Sequence, residues 1–180
     1  LRSTLQVPTP ENTPGLATDV APVTTSIGAG TGEIVFYSNP DEGYNDIYLL
    51  KIGDKNQIRL TQSQTISFSG PFSPDGTLLL FTGFGLTNSY IGVMNADGTD
   101  PINLTNQPSS DDAFPAWSPD GSKIIFTSNR DGNNEIYVMN KDGNQATRLT
   151  TNPTDDFAPS WSPDGKLIAF VSDRDNETGI

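Results

Sequence analysis

The phrase Trp117-Ser118-Pro119-Asp120-Gly121 recurs as Trp161-Ser162-Pro163-Asp164-Gly165 and, with Phe in place of Trp, as Phe72-Ser73-Pro74-Asp75-Gly76. The spacings are 45 and 44 residues. Self-similarity at this period marks an array in which each unit is one supersecondary element that cannot bury its faces alone. The fold must therefore be a stack or a ring of like units.

Between copies of the phrase the same order of segments repeats. An apolar run ends in Phe each time: Ile34-Val35-Phe36, Leu78-Leu79-Leu80-Phe81, Ile124-Ile125-Phe126 and Leu167-Ile168-Ala169-Phe170. An aromatic at a fixed phase implies a fixed packing hole. A polar turn follows, such as Asn129-Arg130-Asp131-Gly132-Asn133, and then a second run, Ile136-Tyr137-Val138-Met139, matched by Ile47-Tyr48-Leu49-Leu50 and Ile91-Gly92-Val93-Met94. Both alternate positions of that run are apolar, the pattern of a strand covered on both faces. Asp97-Gly98 and Asp142-Gly143 supply hairpin turns. The last segment of each unit, 57–61, 101–105 or 146–150, alternates polar with apolar, as fits a strand with one edge toward water. Ser-Pro-Asp-Gly is itself a turn, because Pro presets φ and Gly accepts the exit geometry.

Four short antiparallel strands in a unit of about 45 residues is the pattern of a β-propeller blade. The predicted fold class is all-β, a propeller of four-stranded antiparallel blades. About three and a third are present: a partial blade at 33–61, whole blades at 66–105 and 111–150, and a partial blade at 155–180, so the ring is incomplete within this chain. Propellers need about four to eight blades. The chain then reads as a piece of a longer one, as a subunit whose ring another copy completes, or as a ring whose gap the N-terminal segment fills. Residues 1–32 carry Pro8, Pro10, Pro14 and Pro22 among many Thr and small residues. Such a segment buries too little apolar surface to offset its ordering entropy, and it reads as a linker, stalk or extended arm. Ala21-Pro22-Val23 offers a competing reading as a degenerate innermost strand. The chain opens without Met or a signal-peptide pattern, as a processed or excised product does.

Charge and composition exclude several classes of function. Twenty-two acidic against ten basic residues give a net charge of −12, which opposes a phosphate backbone and argues against nucleic-acid partners. No apolar run approaches the roughly 18 residues a membrane helix needs, so direct membrane insertion is not expected of this segment. The sequence has neither His nor Cys, which removes Ser-His-Asp triads, cysteine nucleophiles and histidine or thiolate zinc sites. No nucleophile elbow or phosphate-binding loop is present. No catalytic residue is predicted.

The phrases Pro-x-Trp-Ser-Pro-Asp-Gly (115–121 and 159–165), Ile-Ile-Phe-Thr-Ser-Asn-Arg-Asp-Gly, Ile-Tyr-Val-Met-Asn-x-Asp-Gly and Arg-Leu-Thr together resemble the TolB-type propeller repeat, a bacterial relative of WD-repeat blades. The resemblance covers 33–180. The first blade departs by lacking the aromatic-Ser-Pro-Asp-Gly strand. The second departs with Gly92 for Tyr and Gly83-Phe84-Gly85 for the Asn-Arg-Asp-Gly turn. The resemblance implies a bacterial, extracytoplasmic module (periplasmic, cell-surface or secreted) that meets protein partners on its rim or channel face.

Two acidic pairs share one phase, Asp111-Asp112 and Asp155-Asp156, just before the inner-strand Trp; the second blade has Ile66 and Ser67 there. Two readings are open. Converging carboxylates would suit Ca²⁺, which takes six to eight oxygens; alternatively each pair caps turn amides and stays solvated. Arg130 and Arg174, also at one phase, are expected to pair with local carboxylates. The turns 131–135 and 173–177 lack the spacing of a calcium loop and read as hairpin turns. Trp117 and Trp161 read as core. Asn103 and Asn176 stand in glycosylation sequons, and Thr24 and Thr25 lie in a stretch that permits O-glycosylation. The functional expectation is a non-catalytic protein-binding or assembly scaffold, with no cofactor unless Ca²⁺. Two alternatives remain: a subunit of an extracellular filament in which neighbouring copies share a blade or strand, and the propeller portion of a larger peptidase or sensor protein.

Overall fold

The computed structural model of the chain describes residues 26–27, 32–39, 45–62 and 66–174. Among them there is no helix, and the strands form four antiparallel sheets. The first holds β1 (Ser26–Ile27), β2 (Glu33–Ser38), β3 (Asp46–Lys51) and β4 (Gln57–Arg59). The second holds β5 (Ile66–Phe72), β6 (Leu78–Phe84), β7 (Ser89–Asn95) and β8 (Ile102–Asn103). The third holds β9 (Asp112–Trp117), β10 (Lys123–Ser128), β11 (Glu135–Asn140) and β12 (Thr147–Arg148), and the fourth β13 (Asp156–Trp161) and β14 (Ile168–Ser172). Each sheet pairs its strands in chain order, and the first strands of successive sheets pack on one another. These are the blades of a propeller, fanning outward from β1, β5, β9 and β13.

The first blade has four strands where three were expected. Ser26 pairs with Val35 and Ile27 with Ile34, which puts a two-residue strand from the Pro/Thr-rich segment in the innermost place. Only backbone pairing is needed there, so the strand forms without the Trp-Ser-Pro-Asp-Gly phrase. Ala21-Pro22-Val23 and the rest of 1–25 lie outside the described residues.

The core lies between sheets. Val35, Ile47 and Leu49 of the first blade meet Phe72, Leu79, Phe81 and Met94 of the second; Leu80, Ile91 and Val93 of the second meet Trp117, Ile124, Phe126, Tyr137 and Met139 of the third. The second blade is thus buried on both faces, as its uninterrupted apolar runs require. At about 25 cal/mol per Å² of apolar area, these side chains supply most of the stabilisation. Trp117 and Phe72 belong to inner strands and plug the gap against the preceding blade. Phe126 stacks on Tyr137 at 5.7 Å and Phe36 on Tyr48 at 5.6 Å. In the second blade Gly92 takes the tyrosine's place because the Phe81 ring lies there: a Cβ on Gly92 would fall 2.2 Å from it.

The Ser-Pro-Asp-Gly turns are alike. Asp75 Oδ1 accepts from Ser73 Oγ at 2.6 Å, from Thr77 N at 3.0 Å and from Thr77 Oγ1 at 2.8 Å, while Ser73 Oγ accepts from Leu78 N. Asp120 and Asp164 repeat the arrangement with Ser118 and Ser162. Hydrogen bonds from the serine, and then from the residue-77 and residue-122 groups, hold Asp75 and Asp120 down at about 2. Pro74 sits against Gly121 and Pro119 against Gly165, so these turns step from blade to blade along one end of the inner strands.

Candidate functional site

The opposite end of the inner strands is where the two acidic pairs fall, and the structure gives the members of each pair different tasks. The first member reaches the preceding blade. Asp111 Oδ1 accepts from Ser89 N, and Asp155 Oδ1 from Asn134 N, both at 2.9 Å. Each latches the first residue of β7, or the residue before β11, to the blade that follows. The second member turns into its own blade and is fully buried. Arg130 Nη2 donates to Asp112 at 3.1 and 3.2 Å, and Arg174 Nη2 to Asp156 at 3.1 and 3.0 Å. The expected arginine–carboxylate pairs are therefore present, and Asp112 and Asp156 are not the solvated surface that one reading of the pairs expected. Burial pushes the Asp156 carboxyl up, but hydrogen bonds from Ser172 and Arg174 outweigh it and hold the group below the usual range.

The carboxylates of the two pairs are dealt to separate partners, and among the described residues no three acidic side chains gather as a metal-binding group would. Asn103 is exposed, and its Oδ1 accepts from Thr105 N and Asn106 N within its own turn. Asn176, Thr24 and Thr25 lie outside the described residues.

Two further buried acids escape notice in the sequence. Glu135, at the start of β11, accepts from Arg148 Nη2 at 2.6 Å, from Asn152 N at 2.9 Å and from Thr150 Oγ1. Burial raises its pKa, and these hydrogen bonds overcome that and lower it. Asp46, Arg59 and Thr61 repeat the cluster in the first blade. The Arg-Leu-Thr phrase is thereby explained: Arg neutralises the acid, and Thr accepts from the amide of the following Ile, Ile47 or Ile136. The signal was a constant separation of 13 residues between acid and arginine.

The second blade lacks both ion pairs. At the places of Asp112 and Arg130 it has Ser67 and Gly85; at those of Glu135 and Arg148 it has Tyr90 and Asn103. At the end of β6 and in the turn after it stand Phe84 and Leu86, where the third blade has Asn129 and Asp131. Leu86 is fully exposed and Phe84 is 42% exposed. Tyr37, Phe68 and Phe84 form a row of ring contacts at 4.8 and 6.0 Å.

Beside that row lies a hollow of about 540 Å³, open to solvent and walled by Phe68, Phe84, Phe114, Ala158 and the adjoining residues of β5, β9 and β13. Phe114 and Ala158 both take positive φ, 55° and 52°, where β9 and β13 slip register against β10 and β14. A bulge of this kind re-aims a side chain, and Phe114 is left 55% exposed at the hollow. The hydroxyl of Ser69, a buried residue lining the hollow, has no hydrogen-bond partner. An apolar wall with a few polar groups is the usual make-up of a binding site.

Residues 84–180 match the model of the TolB beta propeller domain. The chain belongs to that family. Its four-stranded blades and the Trp-Ser-Pro-Asp-Gly turns are those of the TolB-type repeat that the sequence resembles. A protein of Agrobacterium tumefaciens assigned as TolB is 27% identical, with a TM-score of 0.76 over 82% of this chain and 53% of that one. TolB from Acinetobacter baumannii is also 27% identical, with a TM-score of 0.73 over 83% and 37%. The chain thus spans about half the length of the first and just over a third of the second. A puromycin hydrolase, 17% identical with a TM-score of 0.63 over 82% and 29%, shares the fold alone.

Proposed function

We propose that this TolB-like propeller is a non-catalytic, extracytoplasmic bacterial module that binds protein partners, and that the inner-strand end carrying the hollow is its docking face. The observation that carries this reading is the exposed aromatic surface of Phe68, Phe84 and Phe114 around an open apolar hollow. Exposed apolar patches on an otherwise acidic surface mark interaction sites. The buried acids support a scaffold over an enzyme, since each is met by an arginine: Asp46, Asp112, Glu135 and Asp156 by Arg59, Arg130, Arg148 and Arg174. A carboxylate committed to a fixed arginine is poorly placed to exchange protons with a substrate. The location rests on the family resemblance.

The test is site-specific photo-crosslinking in a bacterial host, with the crosslinker at position 114 on the docking face and at position 166 at the far end. The reading predicts discrete protein adducts from position 114 and none from position 166. Adducts equal in number and identity from both positions would reject it.

A further inference from the structure

We infer that the hollow is a site for a small molecule, a neutral aromatic compound bearing one hydrogen-bonding oxygen. This ligand is additional to the protein partners, and its site would stand if no protein docked on that face. Three observations carry it.

The first is an unmet hydrogen bond. Ser69 lines the hollow and is only 8% exposed, and its hydroxyl has no partner. A buried hydroxyl left so carries a desolvation cost. The turn serines show the contrast, since Ser73 Oγ donates to Asp75 and accepts from Leu78 N. An oxygen on a molecule seated in the hollow would relieve Ser69 of its cost.

The second is the make-up of the walls. The volume of about 540 Å³ falls within the roughly 300–1,000 Å³ of small-molecule sites. Every lining side chain is uncharged. Tyr37 meets Phe68, and Phe68 meets Phe84, edge to face at interplanar angles of 88° and 66°. A ring entering beside Phe84 and Phe114 would extend a row already built, and such ring pairs are favourable beyond the area they bury. Charge is selected against. An anion would lose its hydration in an uncharged hollow, and it would also meet Asp111, whose carboxylate accepts from Ser89 N at the wall.

The third is the use made of one position in the repeat. Three residues before Phe72, Trp117 and Trp161 stand Ser69, Phe114 and Ala158. All three line the hollow, each at a register slip of its inner strand. Phe114 and Ala158 hold positive φ there, a strain that clusters at sites clamping a ligand. The blades keep the slip but vary the side chain, which supplies in turn a hydroxyl to bond, a ring to stack and a methyl that leaves room.

The experiment measures displacement of the neutral fluorophore phenylnaphthylamine from the chain by three probes of similar size. These are acetylnaphthalene, ethylnaphthalene and naphthoate, all substituted at the same ring carbon. Wild type is compared with Ser69→Ala, which removes an unpartnered hydroxyl, and with Phe114→Gly, which relieves strain; thermal melts check that both fold. Wild type should bind acetylnaphthalene about fivefold tighter than ethylnaphthalene, and at least about tenfold tighter than naphthoate. Ser69→Ala should abolish the preference for acetyl over ethyl and leave the affinity for ethylnaphthalene unchanged. Phe114→Gly should weaken both neutral probes at least about fivefold. A preference that survives in Ser69→Ala, naphthoate binding as tightly as the neutral probes, affinities untouched by Phe114→Gly, or no binding of fluorophore and probes would each overturn the inference.

Discussion

Arg130 holds the buried carboxylate of Asp112 through one nitrogen to both oxygens, while its guanidinium carbon lies 4.7 Å from the ring centre of Tyr137 and 5.3 Å from that of Phe126. One side chain thus neutralises the inner strand and covers the ring stack of the next two. Arg130→Met leaves a buried acid without its cation and is expected to cost about 3 kcal/mol. Adding Asp112→Leu should recover most of that loss. Urea denaturation of both variants decides it; equal stabilities for the single and the double would refute the pairing argument.

Gly98 and Gly143 have positive φ, and a Cβ there would meet the carbonyl oxygens of Leu60 and Leu104 in the preceding blade at 2.4 and 2.7 Å. Gly53 has similar φ with nothing within 4 Å. All three Ala variants pay the conformational strain, roughly 1–2 kcal/mol. Gly98→Ala and Gly143→Ala should lose at least about 1 kcal/mol more, because backbone of the neighbouring blade must move. Matching melts for the three variants would show that blades do not approach as closely as described.

Asp75 and Asp120 sit near 2 against an ordinary 3.8, and Glu135 and Asp156 are also lowered. Their folded values lie below the unfolded ones, so their contribution to stability is full above the unfolded pKa and is lost as pH falls through the folded one. Tm should hold between about pH 5 and 7 and drop between about pH 4 and 2. A flat profile down to pH 2 would contradict it.

At the alkaline end, Tyr137 is raised from 10.0 to about 12, by burial first and then by its hydrogen bond to Asp131. Its contribution is full below pH 10 and is lost as pH rises toward 12. Phenolate absorbance should show Tyr137 titrating last among the tyrosines, and Asp131→Asn should bring it down. No change in that variant would mean burial alone sets the value.

Phe114 keeps an aromatic in a left-handed conformation at a solvent-exposed site, which strains the chain without burying the ring. Phe114→Gly should therefore raise stability by up to about 1 kcal/mol. A fall in Tm would show that the ring packs more than its exposure indicates.

The spacing of Trp-Ser-Pro-Asp-Gly made the blades legible, because a turn needing Pro, Asp and Gly in order punctuates the chain at one phase. The acidic pairs share one phase in the sequence, which does not show their division of labour. Asp111 and Asp112 are neighbours in sequence pointing to different blades, and only the constant 18-residue step from Asp112 to Arg130 and from Asp156 to Arg174 hinted at it. The first strand stayed hidden because Ser26–Ile27 pairs through backbone, which no side-chain pattern records. Phe114 stayed hidden for a related reason: its role comes from a register slip, and register is a property of two strands.

The Asp111–Ser89 and Asp155–Asn134 latches run in one direction, each secured by the blade made later. A ribosome releasing this chain would thus deliver every fastening after the part it fastens. Newly emerged blades would wait, with the amide at the head of their third strand open to water, until roughly another 20 residues had left the exit tunnel.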